Sequence, residues 1–495
     1  MAKKKKKKSS AARKIDHIVV LMLENRSFDH LFGFHDGVDG LQGNEENFGD
    51  PTKPESDTNP AFFVNNGAPY MVPVGNGPGH SINATNIQLF GNKNPPKGAA
   101  ATNTGFVLSY HGNLIADHVR HPSFNDMRVV MESFSPARLP SINQLADEFV
   151  LCDHWHSEVP GPTQPNRLFA HAATSTGFAH NVFEQIFSVK TIYEQLQDEG
   201  LSWATYELDK NEVREFSRIN MQHENFKRYD DAFAVDCNKG TLANYSFIFP
   251  RFFNADNAPA NSAHAPEDLR FADNFIADVY EALRKNEDVW NRSALIVTFD
   301  EHGGFYDHIA PPTGVPNPDG INSPPPDDKA SFAPKFDFRR LGLRVPAIVC
   351  SPWVRPHVAS TRYQHTSIMA TARKMFGMKS GPLTKRDKSA ATFEDLFELD
   401  QPRADTPATL NRVPPPAFGA PAKDPSHPAN LSMDDTQRAV LFGIHKMTWE
   451  SHGRRMDDMP LRQGDASKYI RYCYERHFGP PGEPGKVPRV RKRKR

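Results

Sequence analysis

The stretch "IDHIVVLMLENRSFDHLFG", residues 15–33, contains an unbroken apolar run, Ile18 to Leu23, that stops abruptly at Glu24 and Asn25. A short continuous run of this kind suits a strand buried on both faces, as in parallel sheets covered by helices. Burial accounts for the run but not for the acid and the amide that end it. In open parallel sheets ligands gather beyond the carboxyl ends of the strands, which makes Glu24 and Asn25 candidates for ligation.

Three further runs repeat the pattern: Phe149 to Cys152 before Asp153, Ala294 to Phe299 before Asp300 and Glu301, and Pro346 to Cys350 before Ser351. Between them Ala272, Phe275, Ile276, Val279 and Leu283 recur at helical spacing, and Pro266, Glu267 and Asp268 suit a helix start. Apolar runs alternating with helix patterns argue for an α/β fold with parallel strands. Residues 306–346, which include "PPTGVPNPDGINSPPPDD", read as a long loop able to cover a ligand. The catalytic domain is expected over 15–400 and a Pro-rich linker over 401–430. A helical extension over 431–480 follows, with Ser432 capping a helix to about Met447 and a second helix from Ala466 to His477. No chemistry is legible in that extension.

At 495 residues the chain can bury a large core. Its formal charge is zero only as a sum of unlike parts: residues 3–14 carry eight cations and residues 486–495 seven, leaving about −15 on the body between them. An acidic body does not suit a general polyanion binder, and no specific nucleic-acid partner is expected. The basic tails at 1–14 and 481–495 are suited to peripheral contact with anionic surfaces. Cys152, Cys237, Cys350 and Cys473 lie far apart with no C-x-x-C pair, as free thiols in a reducing compartment would. No apolar leader core and no run of roughly 18 apolar residues is present, so a cytoplasmic protein is expected.

Three carboxylates and an amide at one sheet edge repel one another unless a cation neutralises them, which points to one divalent metal held by Glu24, Asn25, Asp300 and Glu301. The stretch "GPTQPNRLFAHAAT", residues 161–174, places Thr163 at a helix N-cap, where backbone N–H groups and the helix dipole favour a phosphate. A metal beside that hydroxyl makes it a nucleophile. Asn166 and Arg167 are expected to hold nonbridging phosphate oxygens. His80, His264, His302, His308 and His365 all stand in polar contexts, and together they offer proton transfer and substrate contacts.

The motifs "IDHIVVLMLENRSFDHLFG", "GPTQPNRLFAHAAT", "LIVTFDEHGGFYDHIAPP" and "VPAIVCSPWVRP" with "YQHTSIMATARKMFG" occur in order. Over roughly residues 15 to 380 they closely resemble the bacterial phosphoesterase family of phospholipases C and acid phosphatases, within the alkaline phosphatase superfamily. The resemblance implies an alkaline-phosphatase-like α/β/α sandwich with a mostly parallel sheet, here followed by the small helical extension. It also implies Glu24, Asn25, Thr163, Asp300 and Glu301 as metal ligands, Thr163 as nucleophile, and His80 and His264 as proton-transferring residues. His302 and His365 join Asn166 and Arg167 as expected substrate contacts. Ca²⁺, Mg²⁺, Mn²⁺ and Zn²⁺ all suit such a site.

Threonine rather than serine at the nucleophile, and Asp-Glu rather than Asp-Asp at the second pair, favour the phospholipase branch. The expected function is hydrolysis of a phospholipid or small phosphate ester through a phosphothreonine. A phosphomonoesterase is the alternative, and a noncatalytic protein binding anionic surfaces through its tails is a second. The family's twin-arginine leader is not seen, although family membership allows a secreted or periplasmic location.

Overall fold

The computed structural model describes residues 14–479 apart from 329, 331, 419–426, 431, 432, 434 and 453–458. The basic tails expected at 1–14 and 481–495 lie outside the described residues except for Lys14, as does the Ser432 cap. Lys14 is anchored, donating to the carbonyls of Phe397 (3.1 Å) and Leu399 (2.8 Å).

Eight strands form the central sheet: β1 (His17–Leu23), β2 (Val150–Cys152), β3 (Trp203–Glu207), β4 (Phe226–Arg228), β5 (Tyr245–Phe249), β6 (Ser293–Phe299), β7 (Ala347–Cys350) and β8 (His357–Ala359). Their order is β8-β2-β7-β6-β1-β5-β3-β4. Every pairing is parallel except those of β7, which runs antiparallel to both β6 and β2. The run before Ser351 therefore departs from the parallel expectation. Residues 306–346 contain no crossover helix among their described residues, so the chain begins β7 at the edge where β6 ended and must run back.

Five helices bear on the site: α1 (Thr163–Ala172), α2 (Leu269–Arg284), α3 (His365–Met375), α4 (Asp435–His452) and α5 (Gln463–Phe478). The His171 ring of α1 lies 4.6 Å from that of Phe247 in β5, while Leu269, Ala272 and Ile276 of α2 meet Phe299 of β6. In the observed register Phe247 and Phe299 point to opposite faces, so helices cover both sides of the sheet. Ile18 to Leu23 are at most 1% exposed, as that double cover requires. The architecture is the expected α/β sandwich on a mostly parallel sheet.

The Pro-rich segment expected as a linker over 401–430, between α3 and α4, is not free where it is described. Thr406 accepts from Arg284 and from the Trp290 indole, and the carbonyl of Pro407 accepts from Tyr280, which straps this segment across α2. Helices α4 and α5 share a separate apolar cluster with Phe183, Phe252 and Phe253.

Candidate active site

Register decides what meets at the carboxyl edge. β1 and β6 pair along their length, with Leu23 beside Phe299, so the two polar pairs leave the sheet side by side. A slip of one residue would turn both strands' faces over. The carboxylate of Asp300 accepts from the backbone N–H of Asn25 at 3.0 Å. Asn25 itself is left-handed, φ 59°, a conformation that asparagine tolerates. Behind Glu301, Gly303 comes so close that a Cβ would lie 2.1 Å from the Asn25 carbonyl oxygen, so the turn admits only glycine.

Thr163 is the first residue of α1 rather than its cap, which is Pro162. The expected capping role is thus corrected: proline sets the entry angle, and the hydroxyl is left to donate to Oδ1 of Asn25 at 3.3 Å. Nδ1 of His80 lies 2.5 Å from Oε1 of Glu301 and 2.6 Å from the Asn25 amide. The His264 ring centroid is 5.8 Å from that of His80, and its Nδ1 donates to the Ala265 carbonyl.

Charge is tightly confined here. Burial, reinforced by the neighbouring Asp300 charge, pushes Glu24 well above the ordinary carboxylate range, although Arg167 opposes it. Burial likewise raises Asp300 to about 6 against the pull of Arg167. Glu301 is also desolvated, yet its interactions with the His80 and His302 rings hold it down at about 2. Arg167 links the first two acids, its Nε lying 3.2 Å from Glu24 and 3.1 Å from Asp300.

The other expected substrate contacts sit behind this edge. Arg167 is fully buried, with Nη2 donating to the carbonyls of Met22 and Leu23. Asn166, also fully buried, donates to the carbonyls of Val159, Gly161 and Pro162 and so shapes the turn before Thr163. His302 bonds Gln88 at 2.8 Å, and His365 bonds the Asp300 carbonyl at 2.7 Å. Burial lowers the His365 pKa. None of these four lines the cavity, and the hydrogen bonds described for them go to protein groups that brace the site.

That cavity, of about 380 Å³, is lined by Glu24, Thr163, Ser262 and His264 together with Phe183, Phe252, Phe253, Phe271 and Phe418. Two expectations are corrected by its lining. No described residue of the 306–346 loop contributes, because that loop packs elsewhere: Phe338 lies against Phe169, and Asp307 pairs with Arg344. The helical extension, where no chemistry was legible, supplies Gln437, Val440 and Gln463, with Phe418 and His427 from the preceding segment. Sequence reading also missed "LDKNEVRE", residues 208–215, which follows β3 and puts Lys210 in the cavity wall, bonded to Asp209 and Glu212. Its signal was the same polar stop after a strand, obscured because "WATYE" mixes polar with apolar residues.

Among the described residues, one group of acids and histidines has ligand atoms within 4.8 Å of one another: Asp29, Asp307 and His308. The Arg344 guanidinium occupies its centre, 2.7 Å from Asp29 and 3.0 Å from Asp307. The strand-end set has a different signature. Glu24 Oε1 and Glu301 Oε1 are buried, and each lies against a basic side chain, Arg167 at 3.2 Å and His80 at 2.5 Å, so both are oxygens that positive charge compensates, a donor type that suits a hard cation.

The chain is similar in sequence to several phospholipases C. Non-specific phospholipase C6 of Arabidopsis thaliana is 36% identical over 498 residues, covering 93% of this chain and 88% of that protein. Non-specific phospholipase C1 of the same plant is 38% identical over 422 residues, 81% and 74% of the two chains. Phospholipase C B of Mycobacterium tuberculosis is 29% identical over 433 residues, 78% of each. Among solved structures, a protein in the alkaline phosphatase superfamily from Vibrio parahaemolyticus aligns with TM-score 0.31 and 10% identity, over 52% of this chain and 65% of that one. The Phosphoesterase family model matches residues 15–379, and the chain belongs to the Phosphoesterase family: it is a phosphoric ester hydrolase.

Proposed function

We propose that the protein is a phospholipase C-like phosphodiesterase working through a covalent phosphothreonine on Thr163. The observation that carries this reading is the continuity of the cavity from Thr163 and Glu24 to the rings of Phe252, Phe253, Phe271 and Phe418. A phosphate held at Thr163 leaves the apolar part of its ester to the rings that share the cavity. A small polar phosphate monoester has no use for them.

Glu24, Asn25, Thr163, Asp300 and Glu301 would hold one divalent cation, being oxygen donors of the kind that hard cations take. Such an ion lowers the pKa of a neighbouring hydroxyl and offsets phosphoryl charge. In the proposed sequence Thr163 Oγ1 gives its proton to solvent water, from which it takes one back at the end of the cycle, and attacks phosphorus. The bond from phosphorus to the diacylglycerol oxygen breaks, and that oxygen takes a proton from Nε2 of His264. Water then attacks the phosphothreonine and passes a proton to His264, while the phosphorus–Oγ1 bond breaks and Oγ1 regains its proton. His264 suits this role because it lines the cavity and its Nδ1 is committed to Ala265. His80, held by Glu301, orients that carboxylate and stands by as a second donor.

Hydrolysis of phosphatidylcholine compared with that of a soluble aryl phosphate monoester tests the proposal. Release of diacylglycerol at the higher kcat/KM is expected. Turnover confined to the monoester would overturn the phospholipase reading.

A further inference from the structure

One charged residue of the cavity wall has no part in the steps above. Lys210 follows β3 and is 2% exposed. Its ammonium donates to Oε1 of Glu212 at 2.7 Å and lies 4.8 Å and 5.1 Å from the ring centroids of Phe183 and Phe252. Among the described residues lining the cavity it is the only lysine or arginine. Arg167, the cation expected to meet the phosphate, is turned to Glu24 and Asp300 behind that wall.

We propose that Lys210 is a phosphate-contacting residue, its ammonium donating to a nonbridging oxygen of the phosphoryl group that Thr163 attacks. The proposal rests on the phosphoesterase reading of this cavity. An ammonium has three donors, and among the described residues only Glu212 accepts from this one. An anion entering an edge that already holds Glu24, Asp300 and Glu301 needs a cation on the surface it touches, and Lys210 supplies it. The position is also fixed in advance. Asp209 accepts from the backbone N–H of Lys210 at 2.6 Å and from those of Phe252 and Phe253 at 3.0 Å. The ammonium and the aromatic wall are thereby joined through one carboxylate, the kind of preorganisation that favours an anionic transition state.

The test compares Lys210→Met with Lys210→Met/Glu212→Gln, since the single change leaves the buried Glu212 with one cation fewer. The readouts are kcat/KM for a soluble aryl phosphodiester and the inhibition constant of inorganic phosphate, with thermal unfolding as a check on folding. Losing a charged hydrogen bond should cost about tenfold or more in both, in proportion. A smaller effect in a folded double variant overturns the proposal. Retained turnover in Thr163→Ala would instead sink the phosphoesterase mechanism, whatever Lys210 does.

Discussion

The Thr163 hydroxyl donates to Oδ1 of Asn25 across 138 residues of chain. That bond joins the N-terminus of a buried helix to the end of the central strand, and it brings the proposed nucleophile to the carboxylate edge. Thr163→Ala should lower turnover by about a thousandfold or more. The loss of one hydrogen bond should cost only about 1 kcal/mol of stability. Thr163→Ser should keep measurable activity, and a mass increase of one phosphoryl group on the peptide carrying Thr163 should appear after rapid quenching. A well-folded alanine variant with substantial turnover would remove Thr163 from the mechanism.

Chelation should both stop turnover and lower the unfolding temperature. A cation bound to the folded state alone, at 100 times its dissociation constant, adds about 2.7 kcal/mol of stability. Differential scanning calorimetry with and without chelator reads this apart from activity, and restoration by one divalent ion but not others identifies the ion. An unchanged midpoint would speak against Glu24, Asn25, Asp300 and Glu301 as its ligands.

Arg167→Leu should destabilise the fold by about 3–5 kcal/mol, because the change leaves buried acids uncompensated. Two of those acids, Glu24 and Asp300, sit within 3.2 Å of its Nε. Arg167→Lys should recover little, since a point charge cannot reach these acids and the Met22 and Leu23 carbonyls together. Urea midpoints measure both, and a lysine variant as stable as the parent would contradict the bracing role.

Asp273 offers a pH test away from the site. Burial pushes it up to about 6, although the backbone N–H groups of Ser141 and Ile142 pull the other way. A carboxyl whose folded pKa is raised contributes stability that is full below its unfolded value of 3.8 and is lost as pH climbs through about 6. Asp273→Asn should therefore be most destabilising near the acid end of that window, with the gap from the parent narrowing as pH rises. A constant gap in denaturant melts across the window would refute the assignment.

Phe418→Ala should lower kcat/KM for phosphatidylcholine by about fivefold or more, through lost contact with a phenyl ring. Hydrolysis of a soluble aryl phosphodiester should be nearly unchanged. Equal losses on both substrates would mean that the segment around Phe418 supports the fold rather than the lipid.

Much of the edge was readable from residue order. Ile18 to Leu23 and Ala294 to Phe299 could only be buried strands, and their polar stops pointed to a shared site. The direction of β7 was not readable, because a strand's apolar pattern is the same whichever way it runs. Nor was the fate of Arg167 and Asn166. A helix-borne arginine beside a phosphate site and one bracing the carboxylates behind it have the same local sequence.

The sequence by itself singled out the strand-end acids and the helix-start hydroxyl as candidates, since both follow from periodicity and turn residues a few positions apart. Only the tertiary structure decided what encloses them. Register set Glu24 beside Asp300, and the docking of α4 and α5 closed a cavity whose walls include Lys210, Phe418 and His427. Contacts between segments so distant in sequence depend on how the faces of separate elements pack, and no local pattern records that.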